Sequence, residues 1–98
     1  MKPGRITRRA AQEYLDLLEA HLRARLEEVR ANPKLALDRA EGELRTDLES
    51  CADGSGRGDG DLVTYRGPRP LRCRIVVERV SGDVVSVLPQ SEHHRRQR

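Results

Sequence analysis

Leu71-Arg72-Cys73-Arg74-Ile75-Val76-Val77-Glu78-Arg79-Val80, followed by Ser81-Gly82-Asp83 and Val84-Val85-Ser86-Val87-Leu88, decides the fold. In the first run Leu71, Cys73, Ile75 and Val77 alternate with Arg72, Arg74, Val76 and Glu78. Side chains on a strand point to opposite faces in turn, so this spacing predicts a long strand, 71–80, with one apolar face. Ser81-Gly82-Asp83 has the composition of a tight hairpin turn. Val84–Leu88 then predicts a returning strand, stopped by Pro89.

Working back from that hairpin, Gly67-Pro68-Arg69-Pro70 predicts a turn and Asp61–Arg66 a shorter strand. Together these make a three-stranded meander. Residues 52–60, Ala-Asp-Gly-Ser-Gly-Arg-Gly-Asp-Gly, hold four glycines in nine positions and predict a flexible linker. No Gly-Lys-Ser/Thr follows a strand here, so a phosphate loop is excluded.

Ahead of the linker the period changes from two to 3.6. Ala11, Leu15, Leu18, Leu22, Leu26 and Val29 form one stripe of a helix running from about Thr7 to Arg30. Asn32-Pro33 ends it and caps a second helix reaching about Ser50, whose stripe is Leu37, Ala40, Leu44, Leu48 and Cys51. No strand is predicted ahead of the first helix. The expected fold is a single α+β domain over 1–98. An antiparallel helical hairpin (7–51) packs on one face of a three-stranded antiparallel β-meander (61–89), with the linker at 52–60 and a basic tail at 90–98.

The 98 residues include no Phe and no Trp, and the only aromatics are Tyr14 and Tyr65. Leu, Val and Ala must supply the burial, and they bury less area apiece. So thin a core leaves apolar surface for another chain, and a homodimer is one expectation. The longest apolar run falls far short of the roughly 20 residues of a membrane-spanning helix. Met1-Lys2-Pro3-Gly4-Arg5 has no apolar segment behind it, so no secretory signal is read and a cytoplasmic location is expected. Cys51 and Cys73 form no CxxC motif. They read as two reduced thiols or as a disulfide stapling helix to sheet, and no metal site or cofactor is expected.

Charge is unevenly spread. Residues 1–53 carry 10 basic and 11 acidic side chains, whereas residues 54–98 carry 9 basic and 5 acidic. Arginine outnumbers lysine 17 to 2. The planar guanidinium fork suits phosphate, although a GC-rich genome would produce the same bias. With Leu71, Cys73, Ile75 and Val77 turned inward, the opposite sheet face presents Arg72 and Arg74. Arg66 and Arg69 lie close enough in the meander to join them, and the last strand leads to His93, His94, Arg95 and Arg96. Such a cluster can neutralise a phosphodiester while a histidine or Tyr65 moves a proton. The same residues also fit a solvated sheet face and a solvated tail. His21 reads as structural and Tyr14 as core. Tyr65 follows Val63 at strand spacing and can face the core with it. No carboxylate pair, Gly-x-Ser-x-Gly elbow or spaced Cys/His set points to another hydrolytic chemistry.

Two helices, then Tyr65-Arg66, then Leu71 to Glu78, a tight turn, a valine-rich strand and a terminal His94-Arg95 resemble the RelE/ParE toxin superfamily. The resemblance spans about residues 7–96, and its specific part is about 71–95. It implies a compact toxin that cleaves ribosome-bound mRNA or, in the ParE branch, inhibits gyrase, with an antitoxin wrapping it. It places the basic site at Arg72 or Arg74 and at His94-Arg95. Three functions stay open on the residues themselves. They are a metal-independent endoribonuclease acting on RNA or the ribosome, a non-catalytic basic module binding nucleic acid or protein, and a small structural or assembly protein, possible in a phage.

Overall fold

The computed structural model describes residues 1–58 and 60–90. Three helices precede three strands: α1 (Arg8–His21), α2 (Arg23–Ala31), α3 (Pro33–Glu49), β1 (Leu62–Arg66), β2 (Arg74–Glu78) and β3 (Val84–Leu88). The class is α+β, with one antiparallel sheet in the order β1-β2-β3.

Local chemistry explains most of the boundaries. Thr7 Oγ1 accepts the Ala10 amide and caps α1. Asn32 Oδ1 accepts the Leu35 amide, and Pro33 takes the first helical position, where its missing N–H costs nothing. The single long helix expected over 7–30 is instead two. Leu22 is extended, with φ −128° and ψ 105°, although neither Gly nor Pro marks the place. Tertiary contacts accompany the break. The Arg25 guanidinium reaches Glu43 at 2.6 Å and Arg39 reaches Glu28 at 2.8 Å, which lays α2 along α3.

α1 does not fold back on α3 as one arm of a simple hairpin. Its Tyr14 meets Asp47 near the end of α3, while a cleft beside Ile6 and Ala11 is lined by Leu37, Asp38 and Glu41 from the first half of that helix. The stripe that is continuous in sequence therefore divides. Leu15 and Leu18 are buried, Leu26 and Val29 are half-buried, and Leu22 is exposed.

Leu71, Cys73, Ile75 and Val77 are all buried, as their alternation predicts. They share one core with Ala10, Ala11, Tyr14, Leu15 and Leu18 of α1 and with Ala36, Ala40, Leu44 and Leu48 of α3. A bulge between Val76 and Val77 shifts the pairing so that Val77 faces Val84 while Val76 faces Ser86. That shift lets Val84 and Val87, three residues apart, both enter the core.

Two segments expected to be irregular lie against the sheet. Ile6 bridges Val84 in parallel, with Thr7 N donating to Val84 O and Val84 N to Arg5 O. Arg57, within the glycine-rich stretch, bridges Thr64 and exchanges both backbone hydrogen bonds with it. Among the described residues no helix is long and apolar enough to cross a membrane.

Candidate nucleic-acid interface

β1 ends on Arg66 and β2 begins on Arg74, and the register sets these two residues directly opposite each other. Opposed residues share a sheet face. The neighbouring pair Tyr65 and Ile75 lies on the core side, so Arg66 and Arg74 are on the other. Arg66 is exposed and Arg74 half-buried. Arg74 Nε donates to Pro89 O at 3.0 Å, which turns its guanidinium toward the chain leaving β3.

The loop between β1 and β2 adds Arg69, exposed, and Arg72, half-buried. Gly67 N donates to Cys73 O, and Arg72 N to Pro68 O, closing the loop on itself. Arg72 is not on strand β2, contrary to the expectation that it and Arg74 project from one strand. Its φ is +46°, a left-handed conformation that L-residues avoid, and the strand starts only at Arg74. The intimate arginine pair is therefore Arg66 with Arg74 across two strands. His93, His94, Arg95 and Arg96 lie outside the described residues.

Among the described residues none of Arg66, Arg69, Arg72 and Arg74 forms an ion pair, whereas Arg9, Arg25 and Arg39 on the helices do. Two carboxylates of the sheet region are engaged elsewhere. Glu78 accepts the Ser81 hydroxyl, and Asp83 accepts the Arg5 amide. The arginine end of the sheet is thus positively charged and uncompensated among the described residues.

Tyr65 does not join this cluster. It is half-buried on the core side, and Gly56 passes so close that a Cβ there would sit 2.8 Å from the tyrosine Cζ. Tyr14 is buried, and its hydroxyl donates to Asp47 Oδ2 at 2.5 Å. Burial and then that hydrogen bond push the Tyr14 hydroxyl far above the ordinary phenol range. Burial also raises the Asp47 carboxyl, with Glu43 adding to the rise against the Tyr14 bond. The pair lines a cleft of about 350 Å3 with Arg39, Gly42, Glu43 and Thr46. Nothing in the sequence signals it, because the two residues are 33 apart and each reads as an ordinary helix position.

Both cysteines are free. Burial, then the nearby Asp47, pushes the Cys73 thiol up to about 11, and burial raises Cys51 as well. Neither is an activated nucleophile. Comparison with family models, curated proteins and solved structures finds no match for this chain.

Proposed function

We propose that the Arg66/Arg74 end of the sheet grips the phosphodiester backbone of RNA, and that the chain is a RelE-like toxin acting on mRNA in the cytoplasm. One observation carries the reading: two arginines stand opposed on adjacent strands with no carboxylate paired to either among the described residues. Like charges placed opposite each other destabilise a sheet, and a bound anion offsets that cost. Guanidinium forks match phosphate oxygens in geometry as well as charge. Arg69 and Arg72 widen the anion-binding surface, and the left-handed backbone at Arg72 is the kind of local cost that functional sites retain.

The family resemblance supplies the reaction class. The RNA 2′-hydroxyl attacks the adjacent phosphorus and the 5′-oxygen leaves. Arg72 and Arg74 stabilise the charge that develops on the phosphoryl oxygens, and His93 or His94 carries the proton. The partners in this reading are RNA or the ribosome, together with an antitoxin protein.

The placement of the other candidate proton carriers favours a second reading, binding without cleavage, which includes a ParE-like gyrase inhibitor. Tyr65 is on the far side of the sheet from Arg66 and Arg74, Tyr14 is tied to Asp47, and both thiols are held protonated.

Anisotropy titration of a labelled single-stranded RNA at several salt concentrations, with gel analysis of the same samples, separates these cases. Arg66→Ala and Arg74→Ala are each expected to weaken binding and to flatten the log–log salt slope by about 0.7 for every phosphate left without its cation. Cleavage that disappears in His94→Ala supports the nuclease, and binding without product supports the second reading. RNA affinity unchanged in the Arg66→Ala/Arg74→Ala double variant overturns the site.

A further inference from the structure

Arg57 lies in the glycine-rich stretch between α3 and β1, and its backbone exchanges two hydrogen bonds with Thr64 of β1, at 2.8 and 2.7 Å. Residues opposed in an antiparallel bridge share a sheet face. Thr64 sits between Val63, which is buried, and Tyr65, which packs against the core. Thr64 is therefore on the open face with Arg66, and Arg57 is there too. The neighbouring residue fixes the sense of the alternation. A Cβ on Gly56 would run into Val63 Cγ1 and the Tyr65 ring, so Gly56 faces the core side and Arg57 faces away from it.

The segment is fastened in this position. Gly58, with φ +141°, passes so near β1 that a Cβ would stand 2.6 Å from Leu62 O. Glycine on either side of Arg57 is what lets the backbone come within bonding distance of the strand. The Arg79 guanidinium donates to Gly58 O and to Gly60 O, each at 2.8 Å. Arg57 itself is exposed and forms no ion pair among the described residues. Glu78 shares the open face at its other end, opposite Leu62, and accepts the Ser81 hydroxyl.

We infer that Arg57 is a further phosphate contact of the RNA site, and that the ligand is an oligonucleotide backbone rather than a single nucleotide. The inference rests on the reading of Arg66 and Arg74 as phosphate-binding residues. Those two stand opposite each other on adjacent strands and can share one phosphate. Arg57 is a further strand out and two residues along. With strands about 4.8 Å apart and about 3.4 Å per residue, it lies about 12 Å from Arg74. Strand side chains stand roughly perpendicular to the sheet, so that separation carries outward to the guanidinium groups. One phosphate is held between Arg66 and Arg74 while another along the same chain meets Arg57. The glycine-rich stretch is then part of the binding surface as well as a connection.

Fluorescence anisotropy of a labelled dodecameric oligouridylate at several salt concentrations tests the inference, with the dinucleotide UpU, which has a single phosphodiester, as competitor. Arg57→Ala leaves both backbone bonds to Thr64 in place. It is expected to weaken dodecamer binding and to flatten the log–log salt slope by about 0.7, the share of one phosphate contact. Arg57→Lys keeps the charge and is expected to keep the slope. UpU is expected to bind Arg57→Ala as it binds the wild type. Dodecamer binding unchanged in Arg57→Ala, while Arg66→Ala and Arg74→Ala each weaken it, overturns this inference and leaves the Arg66/Arg74 site standing. A wild type that does not bind, or binding unchanged in all three alanine variants, overturns the site as well. A loss for UpU as large as that for the dodecamer shows one shared phosphate and overturns the separate contact.

Discussion

Glu13 in α1 accepts the Val87 amide at 2.9 Å and the Ser86 hydroxyl at 3.0 Å through one carboxylate oxygen. A helix side chain thereby does for β3 what a neighbouring strand would otherwise do. Burial alone would raise the Glu13 carboxyl, but the bonds from Val87, Ser86 and Arg9 outweigh it and hold it below its ordinary value.

Removing this acceptor strands the Val87 amide. Glu13→Ala is expected to lower stability by about 1–3 kcal/mol, read from urea denaturation. The depressed carboxyl also fixes a pH dependence. Its contribution is complete above the unfolded-state carboxylate pKa and is lost as the pH falls through the acid range. Glu13→Gln keeps a carbonyl acceptor but does not titrate, so its stability should decline less steeply toward acid than the wild type's. Parallel acid limbs for the two proteins would refute the assignment.

Gly42 and Gly56 should respond to alanine in opposite directions. Gly42 sits inside α3 with nothing near its Cβ position, so Gly42→Ala is expected to stabilise by about 1 kcal/mol through helix propensity. At Gly56 the new methyl would collide with Val63 Cγ1 and the Tyr65 ring. Gly56→Ala is expected to cost about 1–3 kcal/mol. Denaturant midpoints of the two variants measured side by side give both signs.

Arg72 offers a direct test of its left-handed backbone. Arg72→Gly removes the Cβ clash and is expected to stabilise by up to about 1 kcal/mol, after the extra entropy that glycine loses on folding. Arg72→Val puts a branched side chain at the same φ and should destabilise. Equal melting temperatures for the two variants would show that residue 72 carries no strain.

What the sequence made legible was local. The inward alternation of Leu71, Cys73, Ile75 and Val77, the returning strand Val84–Leu88 and the Asn32-Pro33 cap each depend on neighbours within a few residues, and each lies where its residues predict, although the strand expected over 71–80 is shorter at both ends, Arg74–Glu78. The break at Leu22 left no mark because the apolar stripe continues through it, and the contact that accompanies it, Arg25 reaching Glu43, is a tertiary one. The Glu13–Val87 and Tyr14–Asp47 bonds join positions 74 and 33 residues apart, with nothing nearby to announce them. At the arginine site the residue types were readable but their geometry was not. The second strand starts three residues later than its alternation suggests, because Arg72 turns the loop, and this exchanges the Arg72/Arg74 pair for Arg66/Arg74.

Ile6 beside Val84 and Arg57 beside Thr64 mean that both outer strands of the sheet already have a companion from their own chain. A visiting peptide that lends a strand finds each border occupied at one point, Val84 on one side and Thr64 on the other, which disfavours strand addition there and favours a partner that reads side chains on a face. The same occupancy is a safeguard, because an unpaired border is what recruits like strands into aggregates. One residue at each flank, irregular when read alone, interrupts the border of this small sheet.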